Sequence, residues 1–194
     1  EMLPRILPVE DEEVSAFVHK ALTKQGMKLH VGSGVDKLEA TKSGVKAAIK
    51  GAGTEEFSHA IVAIGIAPNS ENIGLEALGV KTDRGHIVTD GYGRTNLEAI
   101  YALGDVTAPP WLAHKASHEG VICVEKIAGV EGVHPLDVTR IPGCTYTRPQ
   151  VASVGLTEAR AKEAGHKVKV GKFPFIGNGK AIALGEAEGF VKTV

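Results

Sequence analysis

Apolar residues recur at helical spacing in two long stretches of the chain. The first follows the acidic positions 10–13 and runs to Gly26, and the second begins near Ala113. Apolar positions three or four apart place their side chains on one face of a helix, and acidic residues suit its first turn. The pattern therefore predicts two amphipathic helices, whose apolar faces comprise Val14, Phe17, Val18, Ala21 and Leu22 in the first and Ala113, Ala116, Gly120, Val121, Val124, Ile127 and Ala128 in the second.

Shorter patterns predict strands and small helices between and after these two. Met27, Leu29 and Val31 alternate as in a strand, and further strand-like stretches lie at 35–41, 45–50, 86–88, 181–184 and 190–194. Short helices are expected around 75–78 and 158–164, the second with Thr157 as its N-cap. Two continuous apolar runs also have strand length. Residues 60–64 predict a strand buried on both faces, and residues 100–103 a strand that ends at Gly104-Asp105.

Composition and charge narrow the functional classes. The chain has 194 residues, of which 43% are hydrophobic and 23% charged, with a formal net charge of −1. That balance gives no electrostatic basis for binding nucleic acid or an anionic membrane. No apolar run approaches the about 20 residues of a membrane span. Two cysteines, Cys123 and Cys144, are too few for a disulfide scaffold, so a reducing, cytoplasmic location is expected.

Asp105 raises the question of what a carboxylate does at the end of a buried strand. Ligands of open α/β sheets bind at the carboxyl ends of strands, and Gly104 allows close approach to the backbone. The helix expected from Ala113 adds unpaired N–H groups and the positive end of a dipole. A carboxylate and a helix start suit a cofactor with a polyol chain and a redox ring, such as a flavin. The alternative is that Asp105 merely caps a turn.

Several motifs resemble the pyridine nucleotide–disulfide oxidoreductase family. Residues 95–105, TNLEAIYALGD, resemble its second FAD signature. LAHKA at 112–116 with EG at 119–120 is most similar to the members that oxidise dihydrolipoamide. Further matches run in the same order along the chain, namely IG at 64–65, PN at 68–69, YTRP at 146–149, VG at 154–155 and VGKFPF at 170–175.

The resemblance implies a fold class of α/β and α+β with three parts. Residues 1–67 correspond to the C-terminal half of an NAD-binding, Rossmann-like domain. Residues 68–136 correspond to the second segment of the FAD domain, called the central domain. Residues 137–194 correspond to the start of an α+β interface domain that forms homodimers. Because both termini fall inside predicted structural units, the chain is expected to be an internal piece of a longer enzyme.

The resemblance also implies which residues bind the cofactors FAD and NAD. Asp105 would hydrogen-bond the ribityl chain of FAD. The residues facing the flavin would be Trp111, Leu112, Ala113 and His114, where Trp111 departs from the methionine usual in the family. Three residues would contact NAD: Glu1 through the adenosine ribose, Val35 on the adenine side, and Gly65 near the nicotinamide half. Plain core packing is the alternative for Val35.

The implied reaction is oxidation of a protein-bound dihydrolipoyl group by NAD, through FAD and a redox disulfide. The implied partners are lipoyl-bearing proteins of 2-oxo acid dehydrogenase complexes or of the glycine cleavage system, together with a second copy of the enzyme. Two alternatives remain open. One is another disulfide reductase of the family, mercuric or glutathione-type, and the other is a naturally short, non-catalytic interaction protein.

The chain itself is expected to contain no catalytic residues and to be inactive alone. The chemistry of the family needs a closely spaced pair of cysteines and a C-terminal His-Glu pair, and neither is present. Cys123 lies in an apolar helical run and is expected to be a buried structural thiol. His114 and His118 have the four-residue spacing of helical metal ligands, but no third ligand is evident, so no metal site is predicted.

Overall fold

The computed structural model describes all residues from Glu1 to Val194. Its helices are α1 (Glu12–Lys24), α2 (Leu75–Leu78), α3 (Ala113–Ile127), α4 (Glu158–Glu163) and α5 (Gly179–Ala183). Its strands are β1 (Val35–Ala40), β2 (Val45–Ile49), β3 (Gly53–Phe57), β4 (Thr82–Asp83), β5 (His86–Ile87), β6 (Gly143–Thr145), β7 (Val151–Ser153), β8 (Gly171–Pro174) and β9 (Phe190–Thr193). The mixture of helices and sheets confirms the predicted fold class.

The chain divides into two compact units. The first unit comprises Glu1–Val62 together with Cys144–Val194, and the second unit comprises Ala63–Gly143. The second unit thus contains the whole predicted FAD segment, 68–136, with a few residues on either side. The boundaries of the three predicted domains remain predictions.

Helix α1 forms in the first unit where the sequence predicts it. The side chain of Asp11 caps it by accepting a hydrogen bond from the Glu13 backbone N–H at 3.1 Å. Glu12 and Glu13 occupy the first turn, where their charges suit the helix dipole. Val18 and Ala21 are buried, so the predicted apolar face is the one that packs.

An antiparallel three-stranded meander follows α1, in the order β1-β2-β3. Val45 pairs with Ala40 on one side and with Phe57 on the other. Strands β1 and β2 confirm the predictions, whereas β3 carries too little apolar pattern to be predicted. The strand predicted at 27–31 is wrong, because those residues are irregular and pair with no other strand.

The rest of the first unit contains helix α4 and the antiparallel β8–β9 hairpin. Thr157 caps α4 as predicted, since its hydroxyl accepts a hydrogen bond from the Arg160 N–H at 3.3 Å. The strand predicted at 181–184 is wrong, because these residues belong to helix α5 or its C-cap. The side chain of Asn178 starts that helix by accepting from the Ala181 N–H at 3.0 Å, so a local cap prevails over the apolar pattern.

The second unit is organised around a small apolar cluster. Val80, Ile87 and Ala102 are buried in it, and partly buried side chains pack against them from Leu75, Leu97, Ile100 and Val106. The β4–β5 hairpin turns at Arg84-Gly85, and β5 lies within the strand predicted at 86–88. The strand predicted at 100–103 is wrong in its length. Only Tyr101 pairs, in a single bridge with Arg94.

Two predicted apolar surfaces are exposed instead of buried. Residues 60–64 form no strand, and Ile61 and Ile64 are 92% and 95% exposed. A doubly buried strand needs paired neighbours on both sides, and none of the described residues provides one. On α3, the predicted face is also open, since Val121, Val124 and Ile127 are all exposed. Helix α3 buries Lys115 and Cys123 instead.

The helices of the structure are all too short or too polar to cross a membrane.

Candidate functional site

Asp105 lies in a short 3-10 turn, Gly104–Val106, that follows the Tyr101 bridge. Its side chain is exposed, whereas its neighbour Gly104 is buried. Thr107 closes the turn, because its N–H and its hydroxyl both donate to the Gly104 carbonyl oxygen, at 3.0 and 2.7 Å. The carboxylate of Asp105 is therefore presented to solvent from a backbone that is fixed on both sides.

Helix α3 holds this turn from the other side. The Gly104 N–H donates to Oε2 of Glu119 at 2.9 Å. Gly104 has φ +77°, and a Cβ placed there would stand 3.3 Å from the Cβ of Ala116. A glycine is therefore needed at this position for its backbone conformation, and a side chain would press on α3. The structure thus brings the Asp105 turn against the second turn of α3.

The start of α3 carries amide groups that no side chain caps. Leu112 is the N-cap residue in an extended conformation, and it makes no side-chain capping hydrogen bond. The first N–H groups of a helix have no partner within the helix and form the positive end of its dipole. Ala113 and His114 are exposed there, and Leu112 is half-buried. The imidazole of His114 lies with Nε2 2.8 Å from the Pro142 carbonyl oxygen.

Trp111 contacts two other residues of the second unit, His86 and Thr107. Its indole Nε1 donates to the Thr107 carbonyl oxygen at 3.0 Å, and its ring stacks on the imidazole of His86. About a third of the residue, 36%, stays exposed. Trp111 thus packs within the loop between the Asp105 turn and α3 and stays partly exposed.

Sequence reasoning missed the buried polar residues behind the turn. Lys115 is only 3% exposed, and its Nζ lies 2.7 Å from Oε1 of Glu119. The same ammonium donates to the Ala108 carbonyl oxygen at 3.1 Å. The spacing of Lys115 and Glu119, four residues apart on a helix, is the available sequence signal. That spacing is usual for solvent-exposed pairs, so it does not by itself indicate burial.

The residues predicted to bind NAD are divided between the two units. Glu1 lies in the first unit beside residues 30–33, where its amino group donates to the His30 carbonyl oxygen at 3.0 Å. Its carboxylate accepts a hydrogen bond from the Leu3 N–H at 2.8 Å. Val35 begins β1 and is 56% exposed, so it does not belong to a packed core. Gly65 belongs to the second unit and is exposed, with φ +138°.

The two cysteines lie in contrasting environments. Cys123 is 3% exposed on α3, and burial, with a smaller contribution from the charge of Asp90, raises the pKa of its thiol. Cys144 is exposed in β6. Within the described chain, no group of three or more His, Cys, Asp or Glu side chains is arranged to hold a metal ion.

Comparison with known proteins assigns the family. The model of the pyridine nucleotide-disulphide oxidoreductase family matches residues 1–120, well over half of the chain. This chain belongs to the pyridine nucleotide-disulphide oxidoreductase family. The dimerisation-domain model of the same family matches residues 141–194. The predicted resemblance is thus confirmed, and Asp105, Trp111 and the start of α3 all lie within the first matched segment.

Several curated relatives of the chain are dihydrolipoyl dehydrogenases. The chain is 58% identical over its whole length to the dihydrolipoyl dehydrogenase of Zymomonas mobilis and 54% identical to that of Rhizobium etli. It is 44% identical to the dihydrolipoyl dehydrogenase of Bacillus subtilis. The chain spans about 42% of the length of these relatives.

Solved structures show the same fold. LpdA from Mycobacterium tuberculosis superposes with a TM-score of 0.89 at 29% identity, covering 98% of this chain and 42% of that one. The HOCl-induced flavoprotein disulfide reductase RclA from Escherichia coli superposes with a TM-score of 0.88 at 24% identity, covering 99% of this chain and 44% of that one. At that lower identity the likeness to RclA concerns the fold alone.

Proposed function

We propose that this chain is part of a dihydrolipoyl dehydrogenase, an enzyme that oxidises a protein-bound dihydrolipoyl group with NAD. The observation that carries the proposal is the exposed carboxylate of Asp105, held against a helix whose first amides are uncapped. The names of the relatives support the same activity. In the reaction, a dithiol becomes a disulfide and NAD accepts a hydride, with release of a proton.

The polar groups around Asp105 fit FAD. Carboxylate oxygens are strong acceptors for the hydroxyls of a ribityl chain, and charge-assisted hydrogen bonds of this kind are among the stronger ones. The uncapped amides at Ala113 and His114 favour negative charge on an electron-accepting ring placed near them. FAD, when bound, supplies the electron transfer between the dithiol and NAD. This chain would bind the cofactor, orient it and stabilise its reduced form.

Glu1, Val35 and Gly65 are our proposed contacts for NAD. One carboxylate oxygen of Glu1 accepts the Leu3 N–H, which orients the group and leaves the other oxygen for ribose hydroxyls. A carboxylate at that position repels a 2′-phosphate and so favours NAD over NADP. Val35 exposes apolar surface of the kind that packs on adenine, and Gly65 has no side chain to block close approach.

The partners and location follow from the same proposal. The substrate-bearing partner would be a lipoyl-bearing protein of a 2-oxo acid dehydrogenase complex or of the glycine cleavage system. The dimerisation-domain segment at 141–194 supports a homodimer. The enzyme would work in the cytoplasm, and its exposed free Cys144 suits a reducing compartment.

The redox cysteines and the base would come from residues other than these 194, since Cys123 and Cys144 are the only cysteines of the chain.

The Asp105→Ala variant tests the proposal in the full-length protein, meaning a polypeptide of the relatives' length that contains this chain. We expect FAD to bind about tenfold more weakly or worse, because the ribityl hydroxyls lose a charged acceptor. Equilibrium dialysis of the apoprotein against FAD measures the affinity, and dihydrolipoamide-dependent reduction of NAD measures the activity.

Asp83→Ala is the matched control, because Asp83 is an exposed carboxylate of the same unit whose side chain is 69% exposed. Its FAD affinity should equal that of the wild type. If Asp105→Ala binds FAD as tightly as Asp83→Ala does, the proposed role of Asp105 is wrong. A wild-type full-length protein without bound flavin would refute the whole assignment.

A further inference from the structure

The ion pair between Lys115 and Glu119 is unusual in its burial. Lys115 is 3% exposed and Glu119 is 23% exposed, and their charged atoms lie 2.7 Å apart. Lysine is almost never buried without a compensating partner, because removing an ammonium from water is costly. A buried pair of this kind often adds little to stability compared with apolar side chains of the same volume. Its presence therefore calls for another explanation.

Both members of the pair also bind the loop that contains Asp105. Oε2 of Glu119 accepts the Gly104 N–H at 2.9 Å, directly before Asp105. Nζ of Lys115 donates to the Ala108 carbonyl oxygen at 3.1 Å, three residues after Asp105. The two side chains arise one helical turn apart on α3. Asp105 thus lies on a short loop, and side chains of α3 form hydrogen bonds with both ends of that loop.

We infer that Lys115 and Glu119 are positioning residues for the flavin. The inference rests on the function proposed above, in which Asp105 and the first amides of α3 contact the same FAD molecule. Because the pair belongs to α3 and binds the Asp105 loop, it sets the position of the carboxylate relative to the helix start. A preorganised pair of contacts binds a ligand more tightly than the same groups held loosely.

The contacts of Glu119 and Lys115 can be removed separately by two substitutions. The Glu119 carboxylate forms an ion pair with Lys115 through Oε1 and accepts a hydrogen bond from the Gly104 N–H through Oε2. Glu119→Gln therefore keeps an acceptor for Gly104 but loses the charge that pairs with Lys115. Lys115→Met keeps the aliphatic volume but removes the link to Ala108 and leaves Glu119 without its cation. Both changes loosen the loop without touching Asp105.

The test compares FAD affinity in four full-length proteins: wild type, Lys115→Met, Asp105→Ala and the double variant. We expect Lys115→Met to weaken FAD binding about tenfold. The flavin reduction potential should shift to a more negative value, because the first amides of α3 would stabilise the negative charge of the reduced ring less well. In the Asp105→Ala background the same change should weaken FAD much less, since its effect passes through Asp105. Glu119→Gln should give a smaller effect in the same direction.

Lys162→Met provides the control, because Lys162 also forms an i,i+4 pair, with Glu158, but is 58% exposed. Its FAD affinity and potential should match the wild type. If Lys115→Met lowers only the melting temperature and leaves both FAD affinity and potential unchanged, the pair is merely structural and the inference is wrong. Should Lys115→Met fail to fold, Glu119→Gln decides by the same two measurements.

The outcomes separate this inference from the proposed function. A wild type without FAD, or an Asp105→Ala variant with unchanged affinity, contradicts the proposed function. Flavin binding that depends on Asp105 but not on Lys115 or Glu119 contradicts only the positioning role. Equal losses from Lys115→Met with and without Asp105 also contradict that role, because the lysine would then act independently of the carboxylate.

Discussion

The indole ring of Trp111 stacks on the imidazole of His86, with ring centroids 5.1 Å apart and planes inclined by 16°. The same indole donates from Nε1 to the Thr107 carbonyl oxygen at 3.0 Å. Trp111 therefore links the β4–β5 hairpin to the loop that joins the Asp105 turn to α3. The Nδ1 atom of His86 is buried and has no hydrogen-bond partner.

Two substitutions at Trp111 separate stacking from hydrogen bonding. Trp111→Phe keeps an aromatic ring against His86 and loses the hydrogen bond, so we expect a loss of about 1 kcal/mol in the free energy of unfolding. Trp111→Ala also loses the stack and the other apolar contacts of the indole, and should cost about 2 kcal/mol. Urea unfolding of the full-length protein measures both. Equal losses in the two variants would show that stacking contributes nothing.

Gly104→Ala should be more harmful than a glycine substitution at a comparable backbone angle. Gly104 has φ +77° and Gly129 has φ +73°, but only at Gly104 would an added Cβ meet another side chain, that of Ala116 at 3.3 Å. We expect Gly129→Ala to lose about 1 kcal/mol of stability from its left-handed backbone. Gly104→Ala should lose more and should also weaken FAD binding, because the Asp105 turn shifts. Indistinguishable stabilities for the two variants would contradict the close packing of Gly104 on α3.

Lys192 is the centre of an ion cluster in the first unit. Its side chain is 6% exposed, and Nζ lies within 3.0 Å of Asp11 and Glu13 and 2.7 Å from Glu158. Lys192→Met leaves three carboxylates without their shared cation, so we expect a loss of about 3 kcal/mol in unfolding free energy. Lys162→Met, which removes an exposed partner of Glu158, should lose less than about 1 kcal/mol. Denaturant titration compares the two, and equal losses would contradict the central position of Lys192.

The same cluster predicts how stability changes with pH. Hydrogen bonds from Lys162 and Lys192 lower the pKa of Glu158 from 4.5 to about 2. Burial by itself disfavours the charge on Lys192, but bonds to Glu158, Asp11 and Glu13 outweigh it and raise the pKa of Lys192. A carboxylate whose pKa is lower in the folded state stabilises the fold at any pH above its unfolded-state pKa. This stabilisation is lost as the pH falls through the folded-state pKa.

We therefore expect the contribution of Glu158 to be complete above about pH 4.5 and to disappear as the pH falls towards about 2. The raised pKa of Lys192 acts in the opposite direction, because its contribution is complete below its ordinary pKa of 10.5 and is lost in strong base. Melting temperatures measured against pH test this, with Lys192→Met as the comparison. An acid limb of the same steepness in the variant would show that Lys192 does not support the low pKa of Glu158.

The two cysteines should differ in reactivity. Thiolates are the reactive form, so the raised pKa and burial of Cys123 protect it, whereas Cys144 is exposed. We expect iodoacetamide to label Cys144 in the native full-length protein and Cys123 only after denaturation. Peptide mass mapping distinguishes the two sites, with Cys144→Ser as the control for the exposed one. Native labelling of Cys123 would contradict its burial against Gly93 and the rest of the second unit.

Local signals in the sequence were sufficient for helices α1 and α4. The acidic first turn and apolar spacing of α1 and the Thr157 cap of α4 act over only a few residues, so both helices form where these signals predict. Strands β1, β2 and β5 also form within the ranges that the sequence predicts. The family, finally, was evident from motifs that lie in one order along the chain.

Burial and partnership were decided by tertiary structure alone. The apolar run at 60–64 has the composition of a core strand, yet it stays exposed because no other segment of the chain pairs with it. Helix α3 buries Lys115 and leaves Val121 exposed, because the buried ammonium finds Glu119 and a loop carbonyl as partners. A sequence states which side chains are apolar or charged, but the free energy of burying them depends on what packs against them. Which groups pack against a given side chain is determined only when segments far apart in the sequence come into contact in the fold.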